Sequence, residues 1–125
     1  MAQRRPRRAG QPGWRLHLPP VLGEPVLRKS SNDGFADTSL DELLRGHGVR
    51  RIAIGGLLSE MCVSATARSA LARGLQVMLP QDAHGTYDLK DIPAGTVARV
   101  AEHALGDGVD LVGSARSVRF AAPTL

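Results

Sequence analysis

The segment 49–83, VRRIAIGGLLSEMCVSATARSALARGLQVMLPQDA, decides the fold of this 125-residue chain. Its first eight residues turn apolar towards their end and run into Gly55 and Gly56, which predicts a strand closed by a turn. Residues 59–74 read as a helix. Ser59 can cap it, Glu60 suits the positive end, Arg73 suits the negative end, and Gly74 can stop it. Residues 75–83 are a second strand, stopped by Pro80. A strand, a helix and a strand in that order make a crossover between parallel strands.

The same alternation extends on both sides. EPVLRK (24–29) is a strand candidate. TSLDELLRGHG (38–48) reads as a helix, with Thr38 and Asp41 in a capping-box pattern, Leu40, Leu43 and Leu44 on one face, and Gly48 at the end. DIPAGTVARVAEHALGDG (91–108) is a third helix. Asp91 is its expected cap, Pro93 lies in its first turn, and Val97, Val100, Ala101, Ala104 and Leu105 form its expected apolar stripe. VDLVGS (109–114) is the last strand. Strict alternation from residue 24 predicts an open parallel α/β sheet, whose reactive groups lie beyond the carboxyl ends of the strands. Lys29, Cys62 and Asp82 all follow strand ends and so share that rim.

Cys62 is the only cysteine. It falls in the first turn of a helix, where free N–H groups and the dipole favour a thiolate and can hold an oxyanion. Position alone favours a buried structural cysteine over a nucleophile. Lys29 could orient a carbonyl beside such a thiol, or be a solvated edge charge. Asp82 could simply cap the turn after its strand. His84, in DAHGTYD, reads as an exposed loop histidine able to transfer protons. His17, His47 and His103 are scattered, with no metal-ligand spacing. Neither the dinucleotide fingerprint nor the phosphate-binding loop is present.

Composition narrows the class. Five of the 16 basic residues, Arg4, Arg5, Arg7, Arg8 and Arg15, lie in the first 20 positions, which hold no acid. The rest of the chain is therefore near neutral, against 12 acidic residues in all. Residues 1–15 read as a disordered Arg/Pro-rich tail, 16–116 as the folded unit and 117–125 as a C-terminal tail. A near-neutral body with 3% aromatic residues weighs against nucleic-acid binding. No apolar run approaches the roughly 20 residues of a membrane span. One cysteine excludes an internal disulfide and a Cys-rich zinc site, and fits a reducing cytoplasm.

The central segment resembles the core signature of the isochorismatase-like cysteine hydrolases. That signature is a strand ending in glycine, a turn, a small hydroxyl residue, an acid, any residue, Cys-Val, a Thr-Ala helix, then a strand and Asp-Ala. Upstream, GEPVLRKSSNDGFADTSLDELL is similar to the family's lysine segment. The resemblance implies a three-layer α/β/α parallel sheet of the Rossmann-like type, lacking the family's first two strands. It also implies hydrolysis of a small amide through a thioester on Cys62, with Lys29 as catalytic partner. A cis peptide between Leu57 and Leu58 would aim the Leu58 and Cys62 N–H groups at the oxyanion. Trp14, Phe35, Leu57, Met61 and Tyr87 would line the pocket, with Ser59 and Asp82 as supporting neighbours. No cofactor and no metal are implied here, because the metal cluster of nicotinamidases lies in the part without a counterpart.

The family's catalytic aspartate also lies there, and no acid precedes Glu24. Asp33, Asp37 and Asp82 do not match its position. An N-terminally shortened hydrolase with a small-molecule substrate is the first expectation. The alternative is a non-catalytic remnant that forms a homo-oligomer or docks on a partner chain through exposed strand edges.

Overall fold

The computed structural model describes residues 18–121. The tail expected over 1–15, with Trp14, lies outside them. In chain order the regular elements are α1 (Leu40–Gly46), β1 (Arg51–Ala53), β2 (Gly56–Leu57), a π-helical turn (Ser59–Val63) running into α2 (Ser64–Ala72), β3 (Gln76–Pro80), β4 (His84–Gly85), α3 (Ala94–Leu105) and β5 (Val109–Val112). The main sheet is parallel, in the order β1-β3-β5, and β2 and β4 form a separate parallel pair. Ile52 stands opposite Val77, and Val77 opposite Val109.

Alternation along the central strand sets the core. Val77 and Leu79 are buried in a cluster with Phe35, Val63, Ala67, Ala70, Leu105 and Val109, against which Leu40 and Leu44 of α1 also pack. Ala67 and Ala70 have no exposed surface, so α2 lies close against the sheet. Residues of the opposite parity are more polar: Arg51 and Asp110 form an exposed ion pair 2.8 Å long across β3. No helix among the described residues is long and apolar enough to cross a membrane.

Several local expectations are corrected. EPVLRK is not a strand: residues 24–29 are exposed and carry no ladder. A strand needs a neighbour for its N–H and C=O groups, and β1, at the sheet margin, pairs only with β3 among the described residues. At α1 the Thr38–Asp41 capping box does not form. Thr38 Oγ1 accepts from the Leu40 N–H at 3.3 Å, and Asp41 pairs instead with Arg45 at 3.0 Å. At α3, Pro93 is the cap residue, and Asp88 rather than Asp91 accepts the Ala94 N–H, at 2.8 Å.

The buried face of α3 is Ala98, Ala101, Glu102 and Leu105. Ala101 and Leu105 match the expected stripe, whereas Val100 is 61% exposed. Glu102 is buried on this face, where its carboxylate meets Gln81 and His84 as well as Arg99 of its own helix. The expected helix ends at Gly48 and Gly74 both hold, with φ of +67° and +82°.

Candidate active site

The chain leaves β1, passes Gly55 and enters β2, whose last residue begins the Leu57–Leu58 peptide. That peptide is cis. The π-helical turn follows at once, with the Val63 N–H donating to the Leu58 carbonyl at 3.2 Å and the Met61 N–H to the same oxygen at 3.0 Å. Cys62 sits in this turn, partly exposed, with a free thiol. Widened turns of this kind occur often at functional sites.

Lys29 comes from the extended segment before α1. Its Nζ lies 3.4 Å from Cys62 Sγ and donates to the Ser31 carbonyl at 3.0 Å. Asn32 completes the surroundings of the thiol, which donates to its Oδ1 at 3.4 Å. An amide carries both an acceptor and donors, so a turned Asn32 side chain would equally suit a thiolate. Sequence reasoning passed over Asn32, since a lone asparagine in KSSND reads as loop chemistry. Thr66 of α2 anchors the segment: its hydroxyl accepts from the Gly34 N–H at 2.9 Å.

The other expected residues divide. Leu57, Met61 and Tyr87 are exposed around the turn. Phe35 does not line an open pocket. It is 3% exposed within the core, with the Arg73 guanidinium 4.7 Å above its ring. Asp82 bonds neither Cys62 nor Lys29. Its carboxylate accepts from the Ala115 N–H at 2.7 Å and the Ser114 hydroxyl at 2.9 Å. The Ala115 backbone bond, then the Ser114 bond, hold its pKa below the ordinary carboxylate value. Asp33 accepts the Phe35 N–H at 2.8 Å. Among the described residues no carboxylate is hydrogen-bonded to the thiol, and no group of three or more His, Cys, Asp or Glu side chains is placed to share a metal ion.

Two expectations fail together. Ser59 does not cap the helix, and His84 is not an exposed loop residue. Ser59 is 1% exposed and its Oγ lies 2.7 Å from His84 Nδ1. His84 Nε2 lies 2.8 Å from Glu102, and both side chains are buried. Leu58 therefore takes the cap position.

The fold and the turn together define an open parallel α/β protein with a thiol, an ammonium group and a cis peptide at one rim. Residues 2–105 match the model of the isochorismatase domain. The chain belongs to the isochorismatase family. It is 53% identical over 120 residues to a streptothricin hydrolase from Streptomyces noursei, covering 89% of this chain and 48% of that protein. A secreted isochorismatase effector from Verticillium dahliae is 37% identical over 90 residues, covering 72% of this chain and 47% of the effector. Among solved structures, a member of the isochorismatase family from Chromobacterium violaceum superposes with a TM-score of 0.77 at 33% identity, covering 86% and 60% of the two chains. The chain spans about half the length of the curated relatives it matches.

Proposed function

We propose that the chain carries the nucleophile side of a hydrolase site for a small amide, with Cys62 as nucleophile and Lys29 as its cationic partner. The observation that carries this reading is the 3.4 Å approach of Lys29 Nζ to Cys62 Sγ at the first turn of a helix. A cation there stabilises the thiolate and can polarise a carbonyl. The sulfur attacks the carbonyl carbon, and the carbonyl electrons move to oxygen. The N–H groups of Leu58 and Cys62 are the oxyanion donors in this scheme. Collapse expels the amine, which takes a proton, and leaves a thioester. Water cleaves the thioester to the acid and frees the thiol.

Among the described residues no carboxylate is hydrogen-bonded to Cys62 Sγ, so this reading assigns none of them as the general base. The chain by itself is expected to turn over about 10²- to 10⁴-fold more slowly than a site with a positioned base. Streptothricin, named by two of the relatives, is the first substrate to offer, alongside simple aryl carboxamides. Intact-protein mass spectrometry after mixing should show a covalent adduct that maps to Cys62 and is absent in Cys62→Ala. No adduct with any amide, under conditions where the thiol alkylates normally, would refute the reading.

A second reading, association with a second copy or another partner chain, is favoured by the outer edge of β1 and by exposed Val26 and Leu27 beside the site. Sedimentation of the pure chain tests it, and a well-folded monomer across the concentration range would count against it. The single free thiol also favours a reducing compartment such as the cytoplasm.

A further inference from the structure

Beneath the thiol turn runs a line of buried polar groups. It starts at Arg99, half exposed on α3, whose Nε lies 2.7 Å from Glu102 Oε1. Gln81 Nε2 donates to the same oxygen at 3.1 Å. The other carboxylate oxygen meets His84 Nε2 at 2.8 Å, and His84 Nδ1 meets Ser59 Oγ at 2.7 Å. In the tautomer that carries a proton on Nε2, the carboxylate accepts from Nε2–H and Nδ1 is left to accept the Ser59 hydroxyl proton. The Ser59 carbonyl in turn accepts from the Ser64 hydroxyl at 2.6 Å.

Such a chain is costly inside a small core. The charges and dipoles lose water, and packed leucines could fill the space at similar or better stability. What it provides is orientation. Ser59 directly follows Leu58 and opens the turn that carries Cys62. The ladder between β2 and β4 places Gly56 opposite His84 and Leu57 opposite Gly85, so His84 grips the turn from the strand that already pairs with it. A second tie lies at the surface, where the Thr86 hydroxyl donates to Glu60 at 2.8 Å. Ser59 and the His84 side chain are each only 1% exposed, which argues against either as a nucleophile or a proton donor to substrate.

We propose that His84, held by Glu102, is a positioning residue that fixes the oxyanion-facing Leu58–Ser59 turn through the Ser59 hydroxyl. This rests on the hydrolase reading of Cys62, and the test separates the two. Benzaldehyde labelled at its carbonyl carbon is the probe. A thiol adds to that carbon, the C=O electrons move to oxygen, and protonation gives a hemithioacetal whose oxygen occupies the oxyanion position. Iodoacetamide is the control probe, since its displacement by sulfur forms no oxyanion.

In Ser59→Ala and His84→Ala, benzaldehyde should bind about tenfold or more weakly, the scale of a sub-ångström misplacement, while the iodoacetamide rate stays close to wild type. His84→Asn, which keeps a polar group near the Nδ1 position, should recover part of the lost affinity. Folded variants that bind benzaldehyde as wild type does would overturn the positioning role and leave the hydrolase reading standing. Parallel losses in both probes, or failure of both Ser59→Ala and His84→Asn to fold, would also overturn it, by assigning the network to general stability. A wild-type chain that forms no hemithioacetal would overturn the hydrolase reading, and this inference with it.

Discussion

Gly55→Ala places one methyl group at the joint between the sheet and the site. A Cβ built on Gly55 would stand 2.9 Å from the Ala83 carbonyl oxygen and 3.4 Å from the Ala83 Cβ. Ordinary contact begins near 3.4 Å, so the two backbones must separate by about 0.5 Å. The oxygen cannot simply retreat, because it accepts the Gly56 N–H at 2.9 Å. Gly55 needs no unusual φ, so the whole penalty is spatial. Overpacking against backbone costs about 1–3 kcal/mol. For a domain of this size each kcal/mol lowers the melting temperature by about 4–8 °C. The same displacement passes into β2 and β4 and so into the Leu57–Leu58 turn, where it should weaken oxyanion binding by about tenfold or more. Thermal melting followed by circular dichroism, with benzaldehyde affinity on the folded variant, checks both numbers. The control is Gly95→Ala in the first turn of α3. Its Cβ would meet nothing within 4 Å, and the exchange should raise stability by about 0.4–1 kcal/mol. A Gly55→Ala protein that melts with wild type and binds benzaldehyde equally would refute the close-approach reasoning.

Other consequences follow from single contacts. Lys29→Met should slow iodoacetamide alkylation of Cys62 by about two- to tenfold, a modest factor because the pair is exposed and screened; an unchanged rate would remove Lys29 from the site. Leu79→Ala, at 1% exposure in the middle of β3, should cost about 2–5 kcal/mol in denaturant unfolding, and a loss under 1 kcal/mol would contradict the core assignment. Asp82 has a folded pKa below its unfolded value near 3.9. Its contribution is therefore complete above that value and lost as pH falls through the folded one. The melting difference between wild type and Asp82→Ala should be flat from about pH 7 to 5 and shrink below about pH 4, and a difference that grows on acidification would reverse the sign.

The α/β order could be read from the chain because its strands are short apolar runs bounded by glycine, proline and helix caps. The crossover from β1 through α2 to β3 carries its own signals within 35 residues. Cys62 was legible as a rim residue for the same reason, whereas Lys29 was placed there by a strand that does not form, although the structure does set its Nζ 3.4 Å from Cys62 Sγ. EPVLRK misled because strand propensity is realised only against a neighbour, and its own residues say nothing of one. The Ser59–His84–Glu102 line was hidden by distance, its members lying 25 and 18 residues apart in the chain. One signal was present. Glu102 interrupts the Ala98, Ala101 and Leu105 face of α3, and a carboxylate on a core face requires partners. The expectation that Phe35 lines the pocket failed because an aromatic near a rim can close the core as readily as border a cleft.

The central claim is that the Cys62 turn activates its thiol. The most direct measurement is the second-order rate of iodoacetamide alkylation at Cys62 at pH 7, read by mass spectrometry against free cysteine in the same buffer. The Lys29 contact and the helix-start position predict a rate above that of free cysteine. A rate equal to or below it would make Cys62 an ordinary partly buried thiol and contradict the account.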